Sequence, residues 1–148
     1  MNPPLIVREY FFPFIQVAAD AEFDPSKGIP KINFEKKVSV EKKPQNGIYQ
    51  VALEIIIMPD NEKEKIPYSI DLVTVGLFSV SKAIKDPEKL LRITGASILY
   101  SAAREFLITL TARGPWQPPV FLPTVSFIPP EEPNPAASSE PKRKQTKQ

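Results

Sequence analysis

The sequence predicts an α+β subunit, a four-stranded antiparallel sheet packed with one long helix. Three observations carry this expectation. Apolar residues alternate with period two over 31–41 and 48–58, and turn signals separate these stretches. The period then becomes helical over a span that contains no proline. Strands followed by a helix, rather than interleaved with helices, is the α+β order.

Residues 8–19 are apolar and aromatic, with Tyr10, Phe11, Phe12, Phe14, Ile15 and Val17, and read as a strand in which Pro13 marks a bulge or an edge position. Residues 31–41 place Ile32, Phe34, Val38 and Val40 on one face and Lys31, Asn33, Lys37 and Ser39 on the other. The Pro44-Gln45-Asn46-Gly47 segment predicts a hairpin, because Asn-Gly accepts the positive φ angles of a tight primed turn. Residues 48–58 form the second arm, with Tyr49, Val51, Leu53, Ile55 and Ile57 facing one way. A charged turn over 59–65 leads to a strand over 66–80, in which Gly76 is expected to mark a bulge. One sheet face is plainly apolar. The other is mixed, carrying Gln50, Glu54 and Asp71 among Ala52, Ile56, Val73 and Val75.

The pattern changes at Asp86-Pro87-Glu88. Aspartate before proline suits an N-cap, proline suits the first helical position, and Glu88 complements the helix dipole. The helix is expected to run to Arg113, with Gly114 as C-cap and Pro115 as breaker. Its apolar residues, among them Ile98, Leu99, Ala102 and Phe106, occupy most of the circumference and leave a thin polar stripe of Thr94, Ser97, Ser101, Arg104 and Glu105. A helix that covers one sheet needs an apolar face of only ~100°. The surplus predicts self-association.

After the helix come four prolines, Pro115, Pro118, Pro119 and Pro123, mixed with Trp116, Val120, Phe121, Leu122 and Phe127. So many prolines keep the segment extended and out of a sheet centre. A segment this apolar must pack on something: either it lies over its own core, or it walls a groove for apolar ligands. Beyond Ile128 the chain turns to Pro, Glu, Ser, Ala and Lys without periodicity, so residues 129–148 read as a disordered tail.

Composition excludes much chemistry. The 148 residues include no Cys and no His, which removes imidazole- and thiolate-based nucleophile systems and zinc sites of those ligands. The clustered carboxylates Glu62/Glu64 and Glu131/Glu132 fall in polar, Pro-flanked loops, where solvated surface is the expected state. No nucleotide-binding or calcium-loop motif is present, so no cofactor or metal is expected and the chain reads as a binding protein rather than an enzyme. The net charge of +2 becomes −2 once the terminal Lys142, Arg143, Lys144 and Lys147 are set aside, which argues against a nucleic-acid surface. No signal peptide or membrane-spanning run is seen, so the cytoplasm is the default location.

The helical run Ile98-Leu99-Tyr100-Ser101-Ala102-Ala103-Arg104-Glu105-Phe106-Leu107-Ile108, then Arg113-Gly114, then Phe121-Leu122-Pro123-Thr124-Val125-Ser126-Phe127, resembles the SecB protein-export chaperone family. Gly76-Leu77-Phe78-Ser79-Val80 looks like the end of that family's fourth strand. The likeness spans residues 6–127 and makes 1–128 one SecB-like domain. It implies a homotetramer, a dimer of dimers in which long helices lie between two sheets, with Ile98, Leu99, Ala102 and Phe106 as interface candidates. It also implies an ATP-independent holdase that binds unfolded or precursor polypeptides in apolar grooves, through hydrophobic contact and backbone pairing. Trp116, Val120, Phe121 and Leu122 match the family's crossover loop and are the client-binding candidates, with Phe11, Phe12, Leu77 and Phe78 beside them. Two departures stand out. Pro129, Pro130, Pro133 and Pro135 oppose the family's second helix, and of the acidic sheet surface that recruits the motor SecA only Asp71 keeps a match. A general holdase, a chaperone dedicated to one partner such as an antitoxin, and an oligomeric adaptor are the readings the sequence leaves open.

Overall fold

A computed structural model describes residues 3–129. Expectations about the tail, including its disorder and the lost second helix, lie outside these residues apart from Pro129. Four strands, β1 (Leu5–Ala19), β2 (Ile32–Lys42), β3 (Ile48–Pro59) and β4 (Tyr68–Val80), form one antiparallel sheet in the order β1-β4-β3-β2. The helix follows as α1 (Pro87–Leu90), a π-helical turn (Leu91–Gly95) and α2 (Ala96–Thr111), packed on one sheet face. The α+β expectation holds.

Alternation sets the two faces. Val51, Leu53, Ile55 and Ile57 of β3 and Tyr68, Ile70, Leu72 and Phe78 of β4 are buried toward the helix. The helix answers with Leu91, Ala96, Leu99, Tyr100, Ala103 and Leu107, all buried. Two glycines make the approach close. A Cβ on Gly76 would sit 2.9 Å from Leu99 Cδ2, and one on Gly95 would sit 3.4 Å from Val51 Cγ2. Gly76 is therefore no bulge, since it keeps register with both Val51 and Tyr10, and it is small because Leu99 rests over it.

The bulge at Pro13 is present. Phe11 pairs with Val75 and Phe14 with Val73, so Phe12 and Pro13 together oppose Thr74. This extra residue puts both Phe11 and Phe14 on the face away from the helix, while Phe12 turns inward and stacks on Phe106 at 4.6 Å. A second register shift lies between Val7 and Glu9. In the β2–β3 turn Gly47 has φ 78°, but Asn46 keeps a negative φ, and Ile48 N–H donates to Gln45 O at 3.2 Å. That φ sequence is that of a type II turn rather than the expected primed one, because a longer loop frees the turn from matching the strand twist.

Asp86 caps the helix, its carboxylate accepting from Lys89 N–H at 3.1 Å. The helix ends at Thr111, before the expected Arg113, and Gly114 does not have a positive φ. Its smallness has another cause, described with the site below. Of the interface candidates, Leu99 is wholly buried against its own sheet, whereas Ile98, Ala102 and Phe106 are half-buried.

The face away from the helix is mixed, as expected. Asp71 lies across from Gln16 of β1 and Ile56 of β3. Hydrogen bonding with Asp71, then burial, raises the pKa of the nearby Glu54 carboxyl above its ordinary value, with Lys37 opposing. A raised folded pKa favours the protonated acid, so the stabilisation is present below the ordinary glutamate range and is lost as pH rises through the folded value. Glu54→Gln should therefore raise the melting temperature at pH 7. The gain should vanish as pH falls toward 4, near the ordinary glutamate value of about 4.3. Melting curves across that range check it; a constant difference at every pH would refute the shared-proton account.

Candidate functional site: an apolar groove walled by the proline-rich loop

The chain leaves the helix and crosses the ends of the strands as an irregular segment, residues 112–128, which is held by side chains. Tyr68, the first residue of β4, places its hydroxyl between the helix end and this loop. The oxygen accepts from Trp116 N–H at 3.1 Å and lies within donating distance of Trp116 O (3.0 Å) and Thr111 O (3.2 Å). Gly114 passes directly over that ring, where an added Cβ would sit 2.1 Å from the Tyr68 hydroxyl. This contact accounts for the glycine.

Further bonds hold the rest of the loop. Trp116 Nε1–H donates to Asp20 O at 3.0 Å, and its ring meets Phe23 edge-on at 5.3 Å. Thr111 Oγ1 donates back to Leu107 O at 2.6 Å and accepts from Val120 N–H at 2.8 Å. The Tyr100 hydroxyl donates to Pro123 O. Burial raises the pKa of that phenol.

Between this loop, the β1–β2 connection and the sheet lies a groove of about 500 Å³, within the size range of ligand sites. Trp116, Val120, Phe121 and Leu122 form one wall; Phe23, Pro25 and Ile29 form the opposite one; Ile32, Phe34, Ile57, Tyr68 and Ile70 supply the floor. Gln117 is the one non-apolar side chain in the lining besides the Tyr68 hydroxyl. Phe121 is 61% exposed and Leu122 only 2%, so the loop offers one face to a ligand and plants the other in the core. A smaller polar hollow of about 340 Å³, lined by Glu22, Asp24, Lys27, Lys63, Glu64 and Lys65, adjoins it across Phe23.

The groove gathers all four loop residues singled out in the sequence. It does not include Phe11, Phe12, Leu77 or Phe78. Phe78 has no exposed surface and belongs to the core; Phe12 is engaged with Phe106; Phe11 and Leu77 lie on the sheet face away from the helix. The residues that sequence reasoning missed are Phe23, Ile29, Ile32 and Phe34 as groove lining. For Phe23 and Ile29 the available signal was two large apolar residues isolated in a Pro- and Gly-containing loop, which needs a partner surface.

Among the described residues no group of His, Cys, Asp or Glu is arranged to hold a metal ion, and no helix is long and apolar enough to cross a membrane.

The SecB family model, described as preprotein translocase subunit SecB, matches residues 10–129. The chain belongs to the SecB family. Among solved structures it is similar to the Mycobacterium tuberculosis Rv1957 SecB-like chaperone in complex with a ChAD peptide from the Rv1956 HigA1 antitoxin. That match has 20% identity and a TM-score of 0.66, and covers 83% of this chain and 91% of that one. It is also similar to a protein of unknown function from Streptococcus agalactiae, at 16% identity and a TM-score of 0.50, over 81% of this chain and 97% of the other. No curated protein sequence matches it. This SecB-family chain thus carries the family's strand-then-helix order, with the groove built where the helix hands over to the proline-rich loop.

Proposed function

We propose that this SecB-family protein is an ATP-independent holdase chaperone that captures unfolded or precursor polypeptides in the groove walled by Trp116, Val120, Phe121 and Leu122. The observation that carries the reading is a preformed, almost wholly apolar groove beside a free sheet edge, β2. Apolar side chains enter such a groove by hydrophobic burial, and extended main chain pairs with such an edge, so neither contact demands a particular sequence. Self-assembly as a homotetramer, a dimer of dimers, covers the half-buried Ile98, Ala102 and Phe106. A cytoplasmic location fits a chaperone acting before export. Of the acidic sheet surface expected to recruit SecA only Asp71 keeps a match, so SecA has a weak acidic target here. The near-neutral body and the likeness to a chaperone solved with an antitoxin peptide support a second reading, a chaperone dedicated to one partner such as an antitoxin.

Stoichiometric suppression of aggregation, without ATP, of several unrelated unfolded proteins tests the first reading; protection of a single partner would favour the second, and protection of none would sink both. Phe121→Ser should weaken client capture about tenfold, as expected for losing ~1.5 kcal/mol or more of buried aromatic contact. Because Phe121 projects from the wall, the melting temperature and oligomeric state should stay unchanged. Trp116→Ser should lower both capture and stability, since Trp116 also ties the loop to Asp20 and Phe23.

A further inference from the structure

The open edge of β2 is not uniformly open. Two hydrogen bonds fix which of its main-chain groups point outward: Lys43 N–H to Ile48 O at 2.9 Å and Asp60 N–H to Lys31 O at 3.1 Å. Both continue the β2–β3 register at its two ends, and both fall on odd-numbered residues of the β2 side. Hydrogen-bonded positions alternate along an antiparallel ladder. Asn33, Glu35, Lys37, Ser39 and Glu41 therefore turn their N–H and C=O groups toward β3. Ile32, Phe34, Lys36, Val38 and Val40 turn theirs to the free edge, and the first two of these also line the groove.

One of those outward acceptors is already taken. Arg92, in the π-helical turn, donates from Nη1 to Val38 O at 3.3 Å, and its Nη2 is held by Glu88 Oε1 at 3.2 Å. The guanidinium thus spans from the helix to the strand and lies against the edge midway along β2. No backbone hydrogen bond among the described residues reaches the outward groups of Ile32, Phe34 or Lys36. These three sit on the groove side of the arginine.

We infer that Arg92 is a positioning residue that ends the docking strand: a captured polypeptide pairs with β2 along Ile32–Lys36, beside the groove, and is turned away at Val38. This rests on the holdase reading and adds a length and a register to it. A strand confined to about five residues presents two or three side chains to the groove side, because alternate residues face the same way. The fitting client segment is therefore a short extended stretch with apolar residues at alternate positions, not a long strand.

The test is residue-resolved hydrogen exchange on the intact protein, free and bound to a ten-residue peptide alternating valine and threonine, together with peptide affinities over a length series. In the wild type the amides of Phe34 and Lys36 should slow on binding while those of Val38 and Val40 do not. Affinity should stop rising once the peptide covers about five residues. In Arg92→Ala, protection should spread to Val38 and Val40, and the longest peptide should bind about three- to tenfold tighter than to the wild type, as one or two added main-chain hydrogen bonds allow. Arg92→Lys, which keeps a donor, should restore the early limit. Arg92 is half exposed, so loss of fold is not expected, and circular dichroism checks it. Protection of Val38 and Val40 in the wild type, or no spread in Arg92→Ala, overturns the end-stop while leaving capture intact. Failure of the wild type to bind any peptide overturns the holdase reading itself.

Discussion

Gly114→Ala should remove the groove and much of the protein's stability together. The added methyl would lie 2.1 Å from the Tyr68 hydroxyl, and the ring cannot swing aside without leaving Trp116 N–H and O and Thr111 O. Overpacking alone costs ~1–3 kcal/mol. Stranding buried main-chain groups adds ~1–3 kcal/mol more, so a loss of about 3 kcal/mol is expected. Denaturant melts would show it as a lower midpoint with an unchanged slope. Tyr68→Phe supplies the control: it keeps the ring and removes the hydroxyl, so it should lose part of the same stability. A Gly114→Ala protein as stable as the wild type would mean that the loop does not rest on Tyr68.

Phe78→Ala is expected to be comparably severe. The ring is wholly buried and lies against both Gly76 of the sheet and Gly95 of the helix, where an added Cβ would sit 2.8 and 3.6 Å from it. Truncating a buried phenylalanine costs ~3–5 kcal/mol, a large part of the 5–15 kcal/mol that keeps a typical domain folded. Chemical denaturation measures it directly. The result also separates two roles for this residue, since a side chain reserved for clients would cost binding and little stability. The neighbouring Leu77→Ala should be mild by comparison, because its side chain points to the other face and is only partly covered.

These two positions show what could be read before the structure was known. Period-two alternation located the two arms of the hairpin, an aromatic run and a charged turn located the first and fourth strands, and Asp86-Pro87 located the helix start, because all are local properties of the chain. The end of the helix was misplaced because Gly114 was read through its φ freedom, whereas it is small on account of Tyr68, 46 residues earlier. Gly76 failed in the same way, its reason lying on Leu99 of the helix. Phe12 and Phe11 could not be assigned to faces because the bulge at Pro13 shifts the alternation by one, and only pairing with β4 fixes where the shift occurs. One wall of the groove was legible because four prolines among aromatics require a surface to lie on. The floor was not, since Ile32 and Phe34 have the spacing of ordinary core residues and their exposure depends on what the helix leaves uncovered.

The bonds that Tyr68, Thr111, Tyr100 and Trp116 make to the loop also bear on how the groove opens. A wall held by five hydrogen bonds, at Trp116, Val120 and Pro123, with proline limiting the backbone between them, has few alternative conformations to lose. Its ordering cost falls on folding, not on capture, so a guest brings nearly all of the entropy loss itself. Association should then approach a rigid-body encounter, with little lag for loop closure. Differences among guests would appear mainly in how long each one stays.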